Sequence, residues 1–336
     1  IGQGGAKTKF RANVAAIHLL RQLEDARRPA TRAEQAVLAK WVGWGGLRAA
    51  FPREDGSSAK GWEREAAELK ELLSPEEYRA AESSTRNAHY TSPEVVDAIW
   101  SIARRLGFKG GRVLEPSVGA GNFLGLMPAQ LRPAAQVTGV ELDRVTGGIA
   151  RHLYPAANIQ APLGFQDLTV PDGHFDLAIG NPPFGSEKLY DAERRHLNRY
   201  SIHNYFFAKS IDALRPGGVL AMVVTNYFLD AKEDAARRYI AGRADLVGAI
   251  RLPNNAFLAN AGTEVTTDIV VFRKRLPSEE DLMSGSLPWV DAGTFRDRDG
   301  NEVALNGYFR ANPDMMLGEF GAFGTMYRGG EAALVV

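Results

Sequence analysis

The sequence predicts an α/β protein: a mostly parallel, doubly wound sheet preceded by a helical N-terminal extension. Three observations carry this. From residue 110 onward, short apolar strands alternate with helical stretches, as they do in layered strand–helix–strand units. A glycine-rich turn joins a strand ending at Glu115 to the start of a helix. Before residue 110 no strand pattern appears. The chain is too long for one small domain. We divide it into a helical extension over 1–86, basic at its start, an α/β domain over 87–275, and a loop-rich extension over 276–336.

The elements follow in order. Val14, Ile17, Leu20 and Leu23 keep helical spacing in Asn13–Asp25. Thr31-Arg-Ala-Glu34 is a capping box that opens a helix holding Val37, Leu38 and Trp41, and the glycines of Trp41-Val-Gly-Trp-Gly-Gly46 end it. Glu63–Leu73 reads as another helix, and Ser74-Pro-Glu starts the next with a cap and a proline at the first position. Ser92-Pro93-Glu94 is a third such start, with Val95, Ile99, Ile102 and Leu106 as its buried stripe. Strands are expected at Arg112–Glu115, Gln136–Glu141, Phe175–Ile179, Val219–Thr225, Leu246–Leu252 and Thr267–Arg273. The last is rich in β-branched residues and reads as an antiparallel edge. Pro128 shortens or kinks the helix after the glycine turn. Beyond Pro277 the strand signals are weak.

Composition excludes several classes. There is no cysteine, hence no disulfide scaffold, thiolate zinc site or cysteine nucleophile. The histidines lack paired spacing, so no metal site is expected, and each reads as a surface or capping residue. No apolar run approaches the ~20 residues of a membrane helix, and no signal peptide is visible, so the expected location is cytoplasmic. The chain opens on Ile1 and ends on apolar residues, which reads as a piece of a longer protein. The formal charge is zero, but residues 1–53 carry ten Lys/Arg against three acids, and residues 54–83 carry nine acids against four bases. The basic start is a candidate anchor for phosphates.

Three motifs carry chemistry. In Val113-Leu-Glu-Pro-Ser-Val-Gly-Ala-Gly-Asn-Phe-Leu124, Gly119 and Gly121 let the backbone approach a ligand, while Glu115 suits an ammonium group. Glu141 closes the next strand, 20 residues beyond Gly121, where an acid can accept both hydroxyls of a ribose. NAD and S-adenosylmethionine both satisfy this pair. The third motif, Asn181-Pro182-Pro183-Phe184, follows a strand directly. Its prolines stiffen the turn. An amide, an outward carbonyl and an aromatic face then suit a planar amino group on a ring. Nearby, Gly185–Ser201 interleaves Lys188, Tyr190, Arg194, Arg195, Arg199 and Tyr200, a pattern that fits either a grip on an extruded strand or a solvated loop.

In this order the motifs of residues 89–275 resemble the γ-type amino-methyltransferases that methylate adenine N6 in DNA. His89-Tyr-Thr-Ser-Pro-Glu-Val-Val96 looks like their leading cofactor motif, Glu115–Phe123 like the cofactor loop and Glu141 like the ribose acid. Asp167 looks like the contact to the cofactor's adenine, Asn181–Phe184 like the catalytic loop, and Pro216-Gly-Gly218 precedes the next strand as expected. The flanks Phe10–Ile17, Trp41–Gly46 and Asn260–Asp268 resemble large phage and mobile-element proteins. These carry such a methylase ahead of a helicase-like region and are linked to defence or antirestriction.

The resemblance implies a Rossmann-like S-adenosylmethionine-dependent methyltransferase fold for 87–275, DNA as substrate and a helicase-like region of the full-length protein as partner. It implies a cofactor site of Tyr90, Thr91, Glu115, Pro116, Ser117, Gly119, Gly121, Asn122, Phe123, Glu141, Asp167 and Asn181. It implies catalysis by Asn181, Pro182, Pro183 and Phe184, without metal. Protein-glutamine N5 and RNA guanine N2 methyltransferases share the catalytic loop and stay open, as does a non-catalytic DNA-binding module. The segment after Arg275 is acidic on balance, so DNA binding is expected to be weak, salt-sensitive and relaxed in sequence.

Overall fold

The structure, a computed structural model, describes residues 4–53, 55–85, 91–257, 265–278, 287–324 and 331–336. Four helices come first: α1 (Ala6–Asp25), α2 (Arg32–Leu38), α3 (Glu63–Leu72) and α4 (Pro75–Ser84). Thr31 and Ser74 both close complete capping boxes at the starts of α2 and α4. The helix expected to reach Trp41 stops at Leu38. The buried side chain of Asn13 captures the backbone beyond it, donating to the Gly43 carbonyl at 2.6 Å and accepting from the Val42 N–H at 3.0 Å.

The sheet elements are β1 (Gly111–Glu115), β2 (Ala135–Val140), β3 (Asn158–Gln160), β4 (Phe175–Gly180), β5 (Leu214–Thr225), β6 (Ala244–Leu252) and β7 (Thr267–Lys274). They form one seven-stranded sheet in the order β3-β2-β1-β4-β5-β7-β6. Pairing is parallel from β3 to β5, and β7 runs antiparallel to both β5 and β6. Between them lie α5 (Pro93–Arg105), α6 (Asn122–Gly125), α7 (Arg144–Leu153), α8 (Ile202–Ala213), α9 (Tyr227–Asp230) and α10 (Ala235–Ala241). The short α6 agrees with the position of Pro128.

Two strand expectations need correction. Strand β3 was not anticipated; it has three residues, too few to show a period. The strand over 267–274 is antiparallel but not an edge, because β6 pairs beyond it. The burial of six consecutive residues in β7, against the mixed pattern of β6, is the signature of an interior strand.

Order reverses at β1: its chain successor β2 lies on one side and β4 on the other. A crevice opens at such a switch point, at the carboxyl ends of the strands.

The N-terminal helices pack on the outside of α7. Leu20 lies against Gly148, where a Cβ would be 3.1 Å from Leu20 Cδ2, and the aromatic cluster of Phe10, Trp41, Trp44 and Phe51 shares a core with Ala120, Val145 and Ile149. Arg144 pairs with Glu24 at 2.9 Å and with Glu77 at 3.1 Å, and Gln35 donates to the His152 carbonyl. Four of the ten cations of the basic start are paired within this layer. Lys7, Arg21, Arg28 and Arg48 pair with Glu65, Glu77, Glu34 and Glu82.

The segment expected to be loop-rich holds two antiparallel hairpins. These are β8 (Ala292–Arg296) with β9 (Glu302–Asn306), and β10 (Glu319–Gly324) with β11 (Glu331–Val335). A short helix, α11 (Gly307–Ala311), follows β9. Trp289, Leu305, Phe309 and Leu334 join the core of the sheet's outer half. The fully buried Arg251 of β6 is the hub. It grips Asp268 through two bonds of 2.8 and 2.9 Å and Asp230 at 2.8 Å, and lies over the rings of Phe309 and Phe320. Among the described residues no helix is long and apolar enough to cross a membrane.

Candidate active site

Strand β1 delivers Glu115 to the crevice, fully buried. The turn after it continues the β1–β2 pairing for one more bond, from the Val118 N–H to the Val140 carbonyl. Gly119 then adopts φ +54, a left-handed conformation, and a Cβ there would meet nothing within 4 Å because it would point into open space. Its N–H donates to Glu141 Oε2 at 2.9 Å, while the Asp143 N–H holds Oε1 at 2.8 Å. Asp143 in turn caps α7 by accepting from the Thr146 N–H. The acid at the end of β2 is therefore fixed by backbone amides on both sides. From the other side of the switch point, Asn181–Phe184 leaves β4, and the Ser117 hydroxyl donates to the Asn181 carbonyl at 3.1 Å. That bond ties the two loops together.

These loops enclose a cavity of about 480 Å³. Thr91, Glu115, Pro116, Ser117, Gly119, Asn122, Phe123, Glu141, Asn181, Pro182, Pro183 and Phe184 all line it. Gly121 does not. A Cβ there would stand 2.3 Å from the Tyr154 ring, so this glycine leaves room for that ring. Asp167 does not line it either. It is exposed and accepts a hydrogen bond from Gln166, and Phe165 and Gln166 form the wall in its place. Tyr90 lies outside the described residues.

Several lining residues were not anticipated. Leu142, 72% exposed, projects beside Glu141, and Ile202 and Phe206 of α8 close the side next to Phe165. Gly43, Trp44, Ala80, Ser83 and Ser84 come from the N-terminal layer. The Trp-Val-Gly-Trp-Gly-Gly run was the only local signal for any of them.

His203 departs from the surface role expected of it. It is buried, donates Nδ1–H to the Gly185 carbonyl at 3.0 Å, and burial lowers its pKa to about 4, so the ring is neutral. The basic and aromatic run after Asn181–Phe184 is partly spent on structure. Arg194 pairs with Asp172 and Asp212, and Arg199 stacks on the buried Tyr200 while staying exposed, so Lys188, Tyr190, Arg195 and Arg199 face outward.

The electrostatics select a ligand. The charged residues lining the cavity are Glu115, Glu141, Asp143 and Glu187; among the described lining residues there is no Lys, Arg or His. Burial, and then repulsion from Glu141, push the Glu115 carboxyl well above its ordinary range, and one of its oxygens has no hydrogen-bond partner. Burial pushes Glu141 up to about 7, although part of its surface remains open. Two carboxyl groups short of counter-charge suit a cationic nucleoside and disfavour a dinucleotide with a pyrophosphate. Among the described residues there is no cluster able to hold a metal.

The strand order with its antiparallel β7, the glycine loop at the end of β1 and the acid at the end of β2 define a class I S-adenosylmethionine-dependent methyltransferase fold, and S-adenosylmethionine is the cofactor it implies. Residues 152–257 match the family model of the Eco57I restriction-modification methylase. The chain is 29% identical over 210 residues to Defense against restriction protein B of Escherichia phage P1, a match that covers 61% of this chain and 9% of that protein. It is 32% identical over 132 residues to a type II methyltransferase of Thermus thermophilus, covering 34% of this chain and 29% of that one. The chain thus spans less than a third of either relative. Among solved structures, the methyltransferase subunit of a type I restriction-modification system from Streptococcus thermophilus is similar over 81% of this chain and 80% of that one, at 15% identity and a TM-score of 0.47. The modification subunit of a proposed type I restriction enzyme from Vibrio vulnificus is similar over 64% and 50%, at 18% identity and a TM-score of 0.49.

Proposed function

We propose that the chain transfers the methyl group of S-adenosylmethionine to N6 of adenine in DNA, acting on a base drawn out of its stack. The observation that carries this reading is that one cavity holds both the acid-flanked glycine loop and Asn181–Phe184, joined by the Ser117–Asn181 hydrogen bond. DNA enters from the relatives, which are named for restriction-modification and for defence against restriction.

Adenine N6 is a poor nucleophile because its lone pair is delocalised into the ring, and extruding the base costs a few kcal/mol. Phe184 stacks on the extruded base, a contact of about 1–3 kcal/mol. The Asn181 side-chain oxygen and the Pro182 carbonyl accept the two N6 hydrogens, which draws the nitrogen towards tetrahedral geometry and localises its lone pair. Pro182 and Pro183 keep that geometry stiff. When bound, S-adenosylmethionine supplies an electrophilic methyl on a sulfonium. Glu115 and Glu141, with Thr91, Asn122 and Phe123, orient it in line with N6, and this positioning supplies much of the rate. Transfer of that methyl to N6 would break the C–S bond and release S-adenosylhomocysteine, and the N6 proton lost would pass to solvent past the Asn181 and Pro182 acceptors. A helicase-like region of the full-length protein and relaxed recognition of DNA belong to the same reading.

The test is incubation with labelled S-adenosylmethionine and DNA, RNA or protein, followed by nucleoside and amino-acid analysis. N6-methyladenine in DNA is the expected product. Label in RNA guanine or in protein glutamine instead would overturn the choice of substrate. Asn181→Ala should abolish transfer while keeping most of the cofactor affinity; N6-methyladenine formed at the parent rate by this variant would sink the mechanism.

A further inference from the structure

The N-terminal layer reaches into the cavity. Gly43 and Trp44, in the connection after α2, and Ala80, Ser83 and Ser84 on α4 form part of its lining. None carries a charge, and none of the ten Lys/Arg of residues 1–53 lines the cavity. The connection is held rigidly. Asn13 brackets Val42 and Gly43, Gly43 takes φ +63, and Trp44 sits edge-on to Trp41 and Phe51 with ring centroids 5.6 and 5.7 Å away. The layer docks on α7 through Leu20 and through Arg144 with Glu24 and Glu77. The same helix is capped by Asp143, whose N–H holds Glu141. One helix therefore registers both the ribose acid and this wall.

We propose that the N-terminal helical layer is a wall of the cofactor site, with Trp44, Ser83 and Ser84 lying against bound S-adenosylmethionine and setting its affinity. The inference rests on S-adenosylmethionine being the occupant of the cavity. An uncharged wall excludes water from the Glu115–Glu141 side, and the attraction of those carboxylates for a cationic ligand grows as the local dielectric falls. The layer thereby acts on the cofactor, a role separate from any contact its outward cations make with phosphates.

Ala80 and Ser83 are both exposed on α4, so added bulk there reaches the cavity without disturbing the core. The experiment compares binding of S-adenosylhomocysteine, by calorimetry, to the parent chain and to Ala80→Trp, Ser83→Trp and Glu76→Trp. Glu76 is exposed on the same helix but outside the lining. Equal urea midpoints without ligand establish that the variants are folded. The expected result is a loss of at least tenfold in affinity for the first two and parent-like affinity for Glu76→Trp. A second readout is quenching of tryptophan emission by S-adenosylhomocysteine, which should be reduced in Trp44→Phe. Parent-like binding by both Ala80→Trp and Ser83→Trp would overturn the wall while leaving the occupant intact. No binding by the parent chain would overturn the occupant, and the wall with it.

Discussion

Glu115 and Glu141 face one cavity from the ends of neighbouring strands, and neither has a cation beside it in the lining. The Glu141 carboxyl moves from an ordinary 4.5 to about 7 because burial disfavours its charge. A carboxyl raised on folding contributes stability that is complete below its unfolded value and is lost as pH rises through the folded one. The ligand-free chain should therefore become less stable between about pH 4.5 and pH 7, as measured by urea midpoints across that range. A cationic ligand prefers the ionised acid, so affinity for S-adenosylmethionine should rise as pH climbs through about 7, with protons released on binding. Calorimetry at pH 7 in two buffers of different ionisation enthalpy reads that release directly; identical heats would count against the assignment. Glu141→Ala should weaken binding of S-adenosylhomocysteine at least tenfold, because it removes the acceptor that Gly119 and Asp143 hold in place.

Helix α8 links the two halves of the cavity. Ile202 and Phe206 line it, and between them His203 holds the Gly185 carbonyl just beyond Asn181–Phe184. Tyr205 and Lys209 both reach Asp191 Oδ2, at 2.6 and 2.9 Å, and Asp191 Oδ1 accepts from the Glu193 and Arg194 amides. Lys209 also donates to the Phe165 carbonyl at 2.8 Å, behind the wall opposite the glycine loop. Its ammonium and the Asp191 carboxylate have almost no exposed surface. Removing one partner of such a pair strands the other, at a cost of about 3–5 kcal/mol. Lys209→Met should lower the unfolding free energy by that amount in urea titration, whereas Tyr205→Phe, which leaves the ion pair intact, should cost about 1 kcal/mol.

Across the whole molecule, charge is arranged to cancel. Three of the ten cations at the start of the chain, Lys7, Arg21 and Arg48, are met by acids of α3 and α4, which reduces the charge available to grip DNA. Near Asn181–Phe184, Lys188, Arg195 and Arg199 face outward; phosphate contacts from such side chains would position DNA without reading its bases. DNA binding by this chain should therefore be weak and should weaken further with salt, with a modest slope in log K against log[salt] set by the phosphates neutralised. Methylated adenines mapped after reaction with genomic DNA should show little sequence preference. A single sharp recognition motif, or salt-independent binding, would contradict this.

The fold class, the strands β1, β2, β4 and β5, and the residues Glu115, Gly119, Glu141 and Asn181–Phe184 were legible in the sequence. Each rests on local chemistry: an apolar strand of visible length, a glycine at a sharp turn, an acid or a proline pair at a strand end. Tertiary structure decided the rest. Gly121 and Asp167 stand in the right motifs, yet the Tyr154 ring claims the space beside one and the other points to solvent. The interior place of β7 follows from β6 pairing outside it, a long-range choice that its own residues do not encode. Arg251 reads as an ordinary strand cation until Asp230, Asp268 and two phenylalanine rings, distant in the chain, close around it. Trp44 and Ser83 reach the cavity because the N-terminal helices dock on α7, and residues more than a hundred positions apart become neighbours through apolar packing that no local pattern records.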